Sequence, residues 1–373
     1  MTSLRMPLKG GKVTIVSKVV LAILCIFAVG IKLMNSSENV VRSRTGNVRF
    51  PMPEHLKDWG KRRAKARRTL YQLLGDLPPR PDTLKVRTLW KKQKDGFSLE
   101  KFEFDNGAGG VVPGYLCIPN DLEAPAPAIL YCHYHGDEYD NGKEEIFKQW
   151  PTKTPPAVEF TRRGYVLLAI DAYCFGERRG KGPAGEKETG GSEELTMSKL
   201  NLWHGRTLWG MMLRDDLLAL DYLCSRREVD RNRIGVTGMS MGSTRSWWLA
   251  ALDERIKVAV CVACLTRYQD LIATGELRQH GIYYFVPGLL KHFDTEAVVS
   301  LIAPRPLLTL TGDQDDGSPI SGVRTINKFA RSIYRLYGKE DRFRGIVYPG
   351  LGHKYTAEMW QEALSYLDRW LKQ

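Results

Sequence analysis

The stretch RIGVTGMSMGSTRSWWLAAL, residues 233–252, decides the fold because it joins an apolar run to an amphipathic run through a glycine-bracketed serine. An apolar run of strand length followed directly by a helical run predicts a strand–turn–helix unit of an α/β protein. Its centre, GMSMG (238–242), matches the G-x-S-x-G pattern, in which a tight turn raises the serine hydroxyl above the sheet. Glycine-rich turns between strands and helices are common, so this motif alone leaves open whether Ser240 is a nucleophile or a turn residue.

Composition and charge limit the possible functions. The chain has 373 residues, 43% of them apolar, and can bury a large core. Residues 1–80 hold sixteen Lys and Arg against four Asp and Glu, so this segment carries +12 of the net charge of +13. The rest of the chain is close to neutral. A basic face for phosphate backbones is therefore not predicted for the main domain, which argues against nucleic-acid binding.

The N-terminal segment has the pattern of an export or membrane signal. Val19–Ile31 is a run of thirteen uncharged, almost wholly apolar residues preceded by basic ones, and the run reaches nineteen positions if Val13–Ser17 is added across Lys18. A membrane span needs about twenty residues and a signal-peptide core about seven to fifteen, so a signal anchor and a signal peptide both fit. The basic flank predicts a cytoplasmic N-terminus and an extracytoplasmic catalytic domain, either anchored or secreted.

The chain divides into three predicted parts: a signal anchor or signal peptide (1–34), a linker (35–50) and a catalytic domain (51–373). The domain opens with a basic amphipathic helix, and strand patterns with antiparallel character follow from residue 83. Beyond them, continuous apolar runs alternate with helical stretches. This alternation predicts an α/β fold with a mostly parallel central sheet and helices on both faces.

Carboxylates follow a late predicted strand, where functional groups of such a sheet gather. The segment GDQDDGSP (312–319) offers Asp313, Asp315 and Asp316. A carboxylate here can orient a histidine and stabilise its charged form, although Asp and Gly are also ordinary turn residues. We favour Asp315 from its position in the loop, and the choice between Asp315 and Asp316 stays open.

A histidine follows the last predicted strand. His353 ends the segment Gly350–His353, where a glycine-bracketed loop can bring an imidazole over the serine as a general base. The order serine, aspartate, histidine, each after its own strand, is the chain order of one large class of serine hydrolases. The sequence therefore predicts a triad of Ser240, Asp315 and His353.

The loop after the first parallel-type strand supplies candidate oxyanion donors. Backbone N–H groups around Tyr134 and His135, together with the N–H of Met241, could bind a developing negative charge. His133 and His135 lie two positions apart, which would also suit a metal, but no acidic ligand stands nearby at a metal-binding spacing. We expect neither a metal nor an organic cofactor.

An insert at residues 175–205 lies between strands, where a cap over the site could form. It is rich in glycine and charge, and it ends in a tryptophan and a histidine. We expect Trp203 and His204 to line the entrance to the site.

With these residues identified, the sequence resembles the α/β-hydrolase superfamily, and more narrowly its dienelactone-hydrolase-like and acetyl-xylan-esterase-like serine esterases. The likeness runs from about Leu56 to the C-terminus. It is carried by the GMSMG turn, the HYHG loop (133–136) and the segments DAYCFGERR (171–179), GRTLWGMMLRDDLLALDYL (205–223) and HGIYYFVPGLL (280–290).

The resemblance implies Ser240 as nucleophile, Asp315 as acid and His353 as base, with no cofactor. Two departures matter. Dienelactone hydrolases proper use cysteine where Ser240 stands, which argues against that activity in the strict sense. Related proteins often carry glycine where Tyr134 stands, so the resemblance implies a narrower oxyanion hole here or a different donor.

The predicted function is the hydrolysis of carboxylic esters through an acyl-enzyme, with acetyl or other short acyl esters of carbohydrates as the first substrate class, by analogy. One alternative is a peptidase related to prolyl oligopeptidases, although the several hundred residues of a preceding propeller are missing. Another is a membrane-tethered binding protein on an inactive hydrolase fold, against which the three triad candidates count. The oligomeric state is not predicted.

Overall fold

A single sheet of nine strands organises the part of the chain that the structure describes, residues 48–150 and 153–372 of a computed structural model. The strands are β1 (Val86–Lys94), β2 (Phe97–Asp105), β3 (Val111–Pro119), β4 (Ala126–Cys132), β5 (Val166–Ile170), β6 (Val229–Met239), β7 (Ile256–Val262), β8 (Leu307–Gly312) and β9 (Phe343–Tyr348). Their spatial order is β1-β2-β3-β5-β4-β6-β7-β8-β9. The pairs among β1, β2, β3 and β5 are antiparallel, and all pairs from β5 through β4 to β9 are parallel. The predicted mostly parallel sheet with antiparallel N-terminal strands is therefore confirmed.

Helices cover both faces of the sheet. They are α1 (Leu56–Leu74), α2 (Pro156–Arg162), α3 (Gly191–Trp203), α4 (Leu208–Ser225), α5 (Met241–Leu252), α6 (Tyr268–Thr274), α7 (Thr295–Ser300), α8 (Ile320–Leu336) and α9 (Ala357–Leu371). One hydrophobic core packs the sheet against α1, α4, α5, α7 and α8, and a second core packs it against α2 and α9. This arrangement confirms the prediction of helices on both faces.

The two cores explain why the strand sequences read as continuous apolar runs. Alternate side chains of a strand point to opposite faces of the sheet. On β4, Ala128 and Leu130 lie in the first core, whereas Ile129 and Tyr131 lie in the second. Both faces are buried, so neither set of positions can be polar.

Helix α4 is buried on nearly every side, charged residues included. Its N-cap is Thr207, whose hydroxyl accepts a hydrogen bond from the Gly210 N–H. Asp216 forms a buried ion pair with Arg245 of α5 at 2.5 Å. Because each buried charge meets an opposite one, the helix can pack between the sheet and its neighbours.

The parallel strands β4, β6, β8 and β9 point the same way, so the loops that follow them lie at one edge of the sheet. These are the loops that hold the predicted site residues. The predicted membrane segment, Val19–Ile31, lies outside the described residues. Within the described part of the chain, no helix has the length and apolar character needed to cross a membrane.

Candidate active site

Ser240 lies in a strained turn between β6 and α5. Its φ of 57° and ψ of −119° fall in a region that side-chain-bearing residues rarely occupy. The flanking glycines are required by close packing, because a Cβ on Gly238 or Gly242 would lie 2.2 Å or 2.0 Å from the carbonyl oxygen of Cys132. The Ser240 N–H donates to the carbonyl of Val262 at 2.9 Å, which holds the turn over the sheet.

The structure brings the three residues of the predicted triad together. The Nε2 atom of His353 lies 2.9 Å from the Oγ of Ser240, and its Nδ1 atom lies 2.9 Å from Oδ2 of Asp315. A carboxylate accepts hydrogen bonds, so Nδ1 carries a proton and Nε2 of the neutral ring is free to accept the serine proton. The Asp315 side chain is 1% exposed and that of His353 is 40% exposed. The arrangement therefore allows His353 to deprotonate Ser240 while Asp315 holds the histidine ring in position.

The loop that carries Asp315 is fixed by buried hydrogen bonds. Oδ1 of Asp315 accepts from the Gly317 N–H at 3.0 Å. The carbonyl of Gly317 accepts from Nε2 of His280 at 2.8 Å and from the Thr266 hydroxyl at 2.5 Å. Burial lowers the pKa of His280, which favours the neutral ring. Asp315 thus keeps one oxygen for its own loop and one for His353.

The other two candidate carboxylates have different positions. Oδ1 of Asp313 accepts from the Gly350 N–H at 2.7 Å and so ties the loop after β8 to the loop that carries His353. Asp316 is exposed and lines the cavity described below. Of the three, Asp315 is the carboxylate that contacts the histidine.

Tyr134 does not supply the oxyanion donor that we predicted. Its backbone N–H donates to Oε2 of Glu145 at 2.6 Å, so this N–H is already engaged. Glu145 is fully buried on the short 3₁₀ helix Gly142–Phe147, where its other oxygen accepts from the Tyr131 hydroxyl at 2.7 Å. The prediction was wrong because the carboxyl group of Glu145 accepts from this N–H, which is therefore not free for an oxyanion.

The other two predicted donors remain available. The backbone N–H of His135 has no acceptor among the residues that the structure describes. Met241 is the first residue of α5, and the first N–H groups of a helix lack intrahelical acceptors. Its N–H directly follows Ser240 in the chain, and the positive end of the helix dipole favours negative charge there. His135 and Met241 are the candidate pair for an oxyanion hole.

A cavity of about 690 Å³ opens at Ser240 and His353. Its walls come from the loop after β4, the first turns of α3 and the segment 278–283. Helix α3 contributes Gly191, Glu194 and Leu195. Neither Trp203 nor His204 lines the cavity, contrary to our expectation, and the Trp203 side chain is 91% exposed. They lie at the far end of α3, about 12 Å along the helix axis from Leu195.

Comparison with known proteins agrees with this architecture. Residues 39–344 match the model of a family described as the Abhydrolase family. The chain belongs to the abhydrolase family. A relative provisionally named a hydrolase, YtaP of Bacillus subtilis (strain 168), is 42% identical over 311 residues, which are 83% of this chain and 100% of the relative. The predicted resemblance to α/β-hydrolase serine esterases is confirmed.

Two solved structures share the fold of this abhydrolase. A protein of Bacteroides fragilis NCTC 9343, provisionally described as an acetyl xylan esterase, has a TM-score of 0.68 and 21% identity over 84% of this chain and 82% of that one. A glucuronoyl esterase from Solibacter usitatus has a TM-score of 0.64 and 17% identity over 84% of this chain and 93% of that one. At these identities the likeness shows the fold.

His133, the first of the two histidines in the loop after β4, has a structural role. His133 is fully buried, its Nε2 accepts from the Ala172 N–H at 3.1 Å, and its Nδ1 lies 2.8 Å from the Tyr134 carbonyl. Burial lowers the pKa of this ring, so it is neutral. Both ring nitrogens are occupied, and His133 has none left for a metal.

Three residues near the site escaped sequence reasoning. Cys264, just after β7, places its Sγ 3.7 Å from the Oγ of Ser240. Burial raises the pKa of this thiol to about 12, so it is protonated and does not compete as a nucleophile. Its place at the end of a parallel strand could have indicated it. Glu145 and Glu194 carry no comparable signal, because each reaches the site through contacts between distant segments.

Proposed function

We propose that the protein is a serine esterase that hydrolyses short acyl esters of carbohydrates. The observation that carries the proposal is the pair of 2.9 Å contacts that link Ser240, His353 and Asp315. This geometry is that of a nucleophile, a general base and the carboxylate that orients the base. The cavity at Ser240 gives an ester access to the hydroxyl.

In the first half-reaction the Oγ of Ser240 attacks the ester carbonyl carbon while its proton moves to Nε2 of His353. Asp315 stabilises the imidazolium that results. The tetrahedral intermediate then collapses, the bond to the alcohol oxygen breaks, and Nε2–H protonates the departing alkoxide. Water, deprotonated by the same nitrogen, attacks the acyl-enzyme, and the acid and the free Ser240 hydroxyl are restored.

The carbonyl oxygen becomes negatively charged in both tetrahedral intermediates. We assign its stabilisation to the backbone N–H groups of His135 and Met241, which are free to donate. Loss of one such donor costs about 3–4 kcal/mol of transition-state stabilisation in a related setting. Because the Tyr134 N–H already donates to Glu145, it cannot be one of these two donors.

The substrate class rests on analogy. Acetyl xylan esterases and glucuronoyl esterases are among the proteins that share the fold, and both names specify carbohydrate esters. The relative at 42% identity, YtaP, carries no substrate in its name. We propose that the activity lies outside the cytoplasm, because the apolar run Val19–Ile31 with its basic flank has the pattern of an export or membrane signal.

The test is a substrate panel assayed with the wild type and Ser240→Ala. It contains 4-nitrophenyl acetate, longer 4-nitrophenyl esters, acetylated xylosides and aminoacyl anilides. We expect turnover of the acetates, a fall with acyl length, no turnover of anilides and no activity in the variant. Preference for anilides would favour the peptidase, and inactivity on every member would favour a binding protein on a hydrolase fold.

A further inference from the structure

One buried carboxylate in the cavity wall is not used by the proposed mechanism. The side chain of Glu194, in the first turn of α3, is 3% exposed. Its Oε1 lies 3.1 Å from Nε2 of His135, and its Oε2 accepts from the Tyr139 hydroxyl at 3.1 Å. Among the described residues, no Lys or Arg pairs with it. Burying a carboxylate without a Lys or Arg partner is costly, so its position in the cavity wall suggests a role in binding.

The hydrogen bonds of the histidine beside Glu194 fix the orientation of its ring. Nδ1 of His135 accepts from the Asp137 N–H at 3.1 Å, so the proton of the ring is on Nε2 and points at Glu194. The ring is also fixed by stacking on Tyr283, with centroids 5.2 Å apart. Glu194 therefore accepts hydrogen bonds from His135 and Tyr139, and among the described residues no Lys or Arg faces it.

The other charges at the cavity do not offset it. The acidic residues of the lining include Asp137 and Asp316, both exposed, besides Asp315, which is bound to His353. Apart from three histidines, the basic residue of the described lining is Arg278. Its side chain is 79% exposed and lies against Glu276 at 3.3 Å. A substrate in this cavity thus meets a negative potential at Glu194.

We propose that Glu194 makes this site select uncharged, hydroxyl-rich alcohols and discriminate against anionic ones. The inference rests on the proposed esterase function and narrows its substrate class. Sugar hydroxyls can donate to the lone pairs of Glu194 that His135 and Tyr139 leave unused, and hydrogen bonds to a carboxylate are strong. A carboxylate on the substrate would be repelled, because like charges interact more strongly beside a partly buried group than in bulk water.

The neighbouring residue offers a matched control. Glu193 is on the same helix turn, carries the same charge and is 1% exposed, but it does not line the cavity. Its carboxylate accepts from the N–H groups of Gly180, Lys181 and Gly182. Glu193→Gln should therefore change the insert without changing the charge at the cavity wall.

The experiment compares kcat/KM for two acetate esters that differ in one charge, an acetylated methyl glucoside and the methyl glucuronoside acetylated at the same position. We expect the wild type to prefer the neutral ester about tenfold or more. Glu194→Gln should reduce this preference to within about threefold, and Glu193→Gln should retain it. Glu194→Asp, which keeps the charge, should also retain the preference.

The outcomes separate the two proposals. If the wild type hydrolyses no ester, 4-nitrophenyl acetate included, the proposed function fails. If it hydrolyses both sugar esters equally, or if Glu194→Gln keeps the full preference, the inference about Glu194 fails and the esterase function stands. Should Glu194→Gln not fold, the wild type decides with a third ester, in which an ammonium group replaces the carboxylate of the sugar: a negative cavity wall should not disfavour it. Discrimination against this cationic ester as strong as that against the anionic one overturns the inference.

Discussion

The Nε2 atom of His353 lies 2.9 Å from the Oγ of Ser240, although the two residues are 113 positions apart in the chain. Strands β6 and β9, which lead to them, are separated in the sheet by β7 and β8. The contact therefore depends on the packing of β6 to β9 and on the strained turn at Ser240. Substitutions in this turn, or of Asp315, which contacts the histidine, should therefore disturb the contact directly.

Replacing Asp315 should disable the base while the fold is retained. In Asp315→Asn the amide holds the His353 ring in the wrong tautomer, and we expect kcat to fall about 10⁴-fold, as in other triads. Asp316→Asn is the matched control and should stay within about threefold of the wild type, because a surface carboxylate without a contact to the triad contributes little. Steady-state kinetics on 4-nitrophenyl acetate measures both. A larger loss in Asp316→Asn than in Asp315→Asn would reverse the assignment.

Gly242, two positions after Ser240, should tolerate no side chain. Gly242→Ala would place a Cβ 2.0 Å from the Cys132 carbonyl oxygen, so the backbone of the turn must shift. We expect a loss of about 3 kcal/mol or more in the free energy of unfolding and loss of activity. Gly60→Ala, in helix α1 with nothing within 4 Å of the new Cβ, should instead stabilise the protein by up to about 1 kcal/mol. Urea denaturation checks both, and a fully stable, active Gly242→Ala would contradict the account of the turn.

Glu145 should make stability fall as the pH rises. Burial raises the pKa of this carboxyl to about 8, whereas in the unfolded chain it is about 4.3. Between these values the folded state holds a proton that the unfolded state has lost. The stabilisation is therefore fully present below about pH 4.3 and is lost as the pH rises to about 8, by at most about 1.4 kcal/mol per pH unit.

The measurement is the free energy of unfolding of the wild type and Glu145→Gln from pH 5 to pH 8. Because glutamine does not titrate, the stability of the wild type relative to the variant should decrease steadily across this range. Other titrating groups are common to both proteins and cancel in the difference. A difference that does not change with pH would show that Glu145 is ionised in the folded protein.

The strands and the three residues that meet at the site, Ser240, Asp315 and His353, could be predicted because each has a local signal. Apolar runs predict strands buried on both faces, and glycines mark the turn that Ser240 requires. The loops after β8 and β9 could be located in the same way, because they follow recognisable strands. Each prediction used a pattern within a few neighbouring residues. Because the loops that follow parallel strands lie at one edge of the sheet, these residues could be expected to meet there.

The sequence could not decide what depends on orientation within a loop. Asp315 and Asp316 are adjacent and chemically identical, and it is the burial of Asp315, its hydrogen bond from Gly317 and its contact with His353 that distinguish them. The Tyr134 N–H was predicted to face the site, but it donates to the buried carboxyl group of Glu145. Pairings of this kind arise when the chain packs, and residue type and spacing carry no trace of them.

Fluorophosphonate labelling tests the central claim most directly, since the reagent reacts with an activated serine. We predict labelling of the wild type at one site, located by mass spectrometry at Ser240, and none in Ser240→Ala. Ser243→Ala is the matched control, because the Ser243 hydroxyl is fully buried and donates to the Ala263 carbonyl at 2.6 Å; it should label like the wild type. Absence of labelling in the wild type, or equal labelling of Ser240→Ala, would contradict the assignment of Ser240 as the nucleophile.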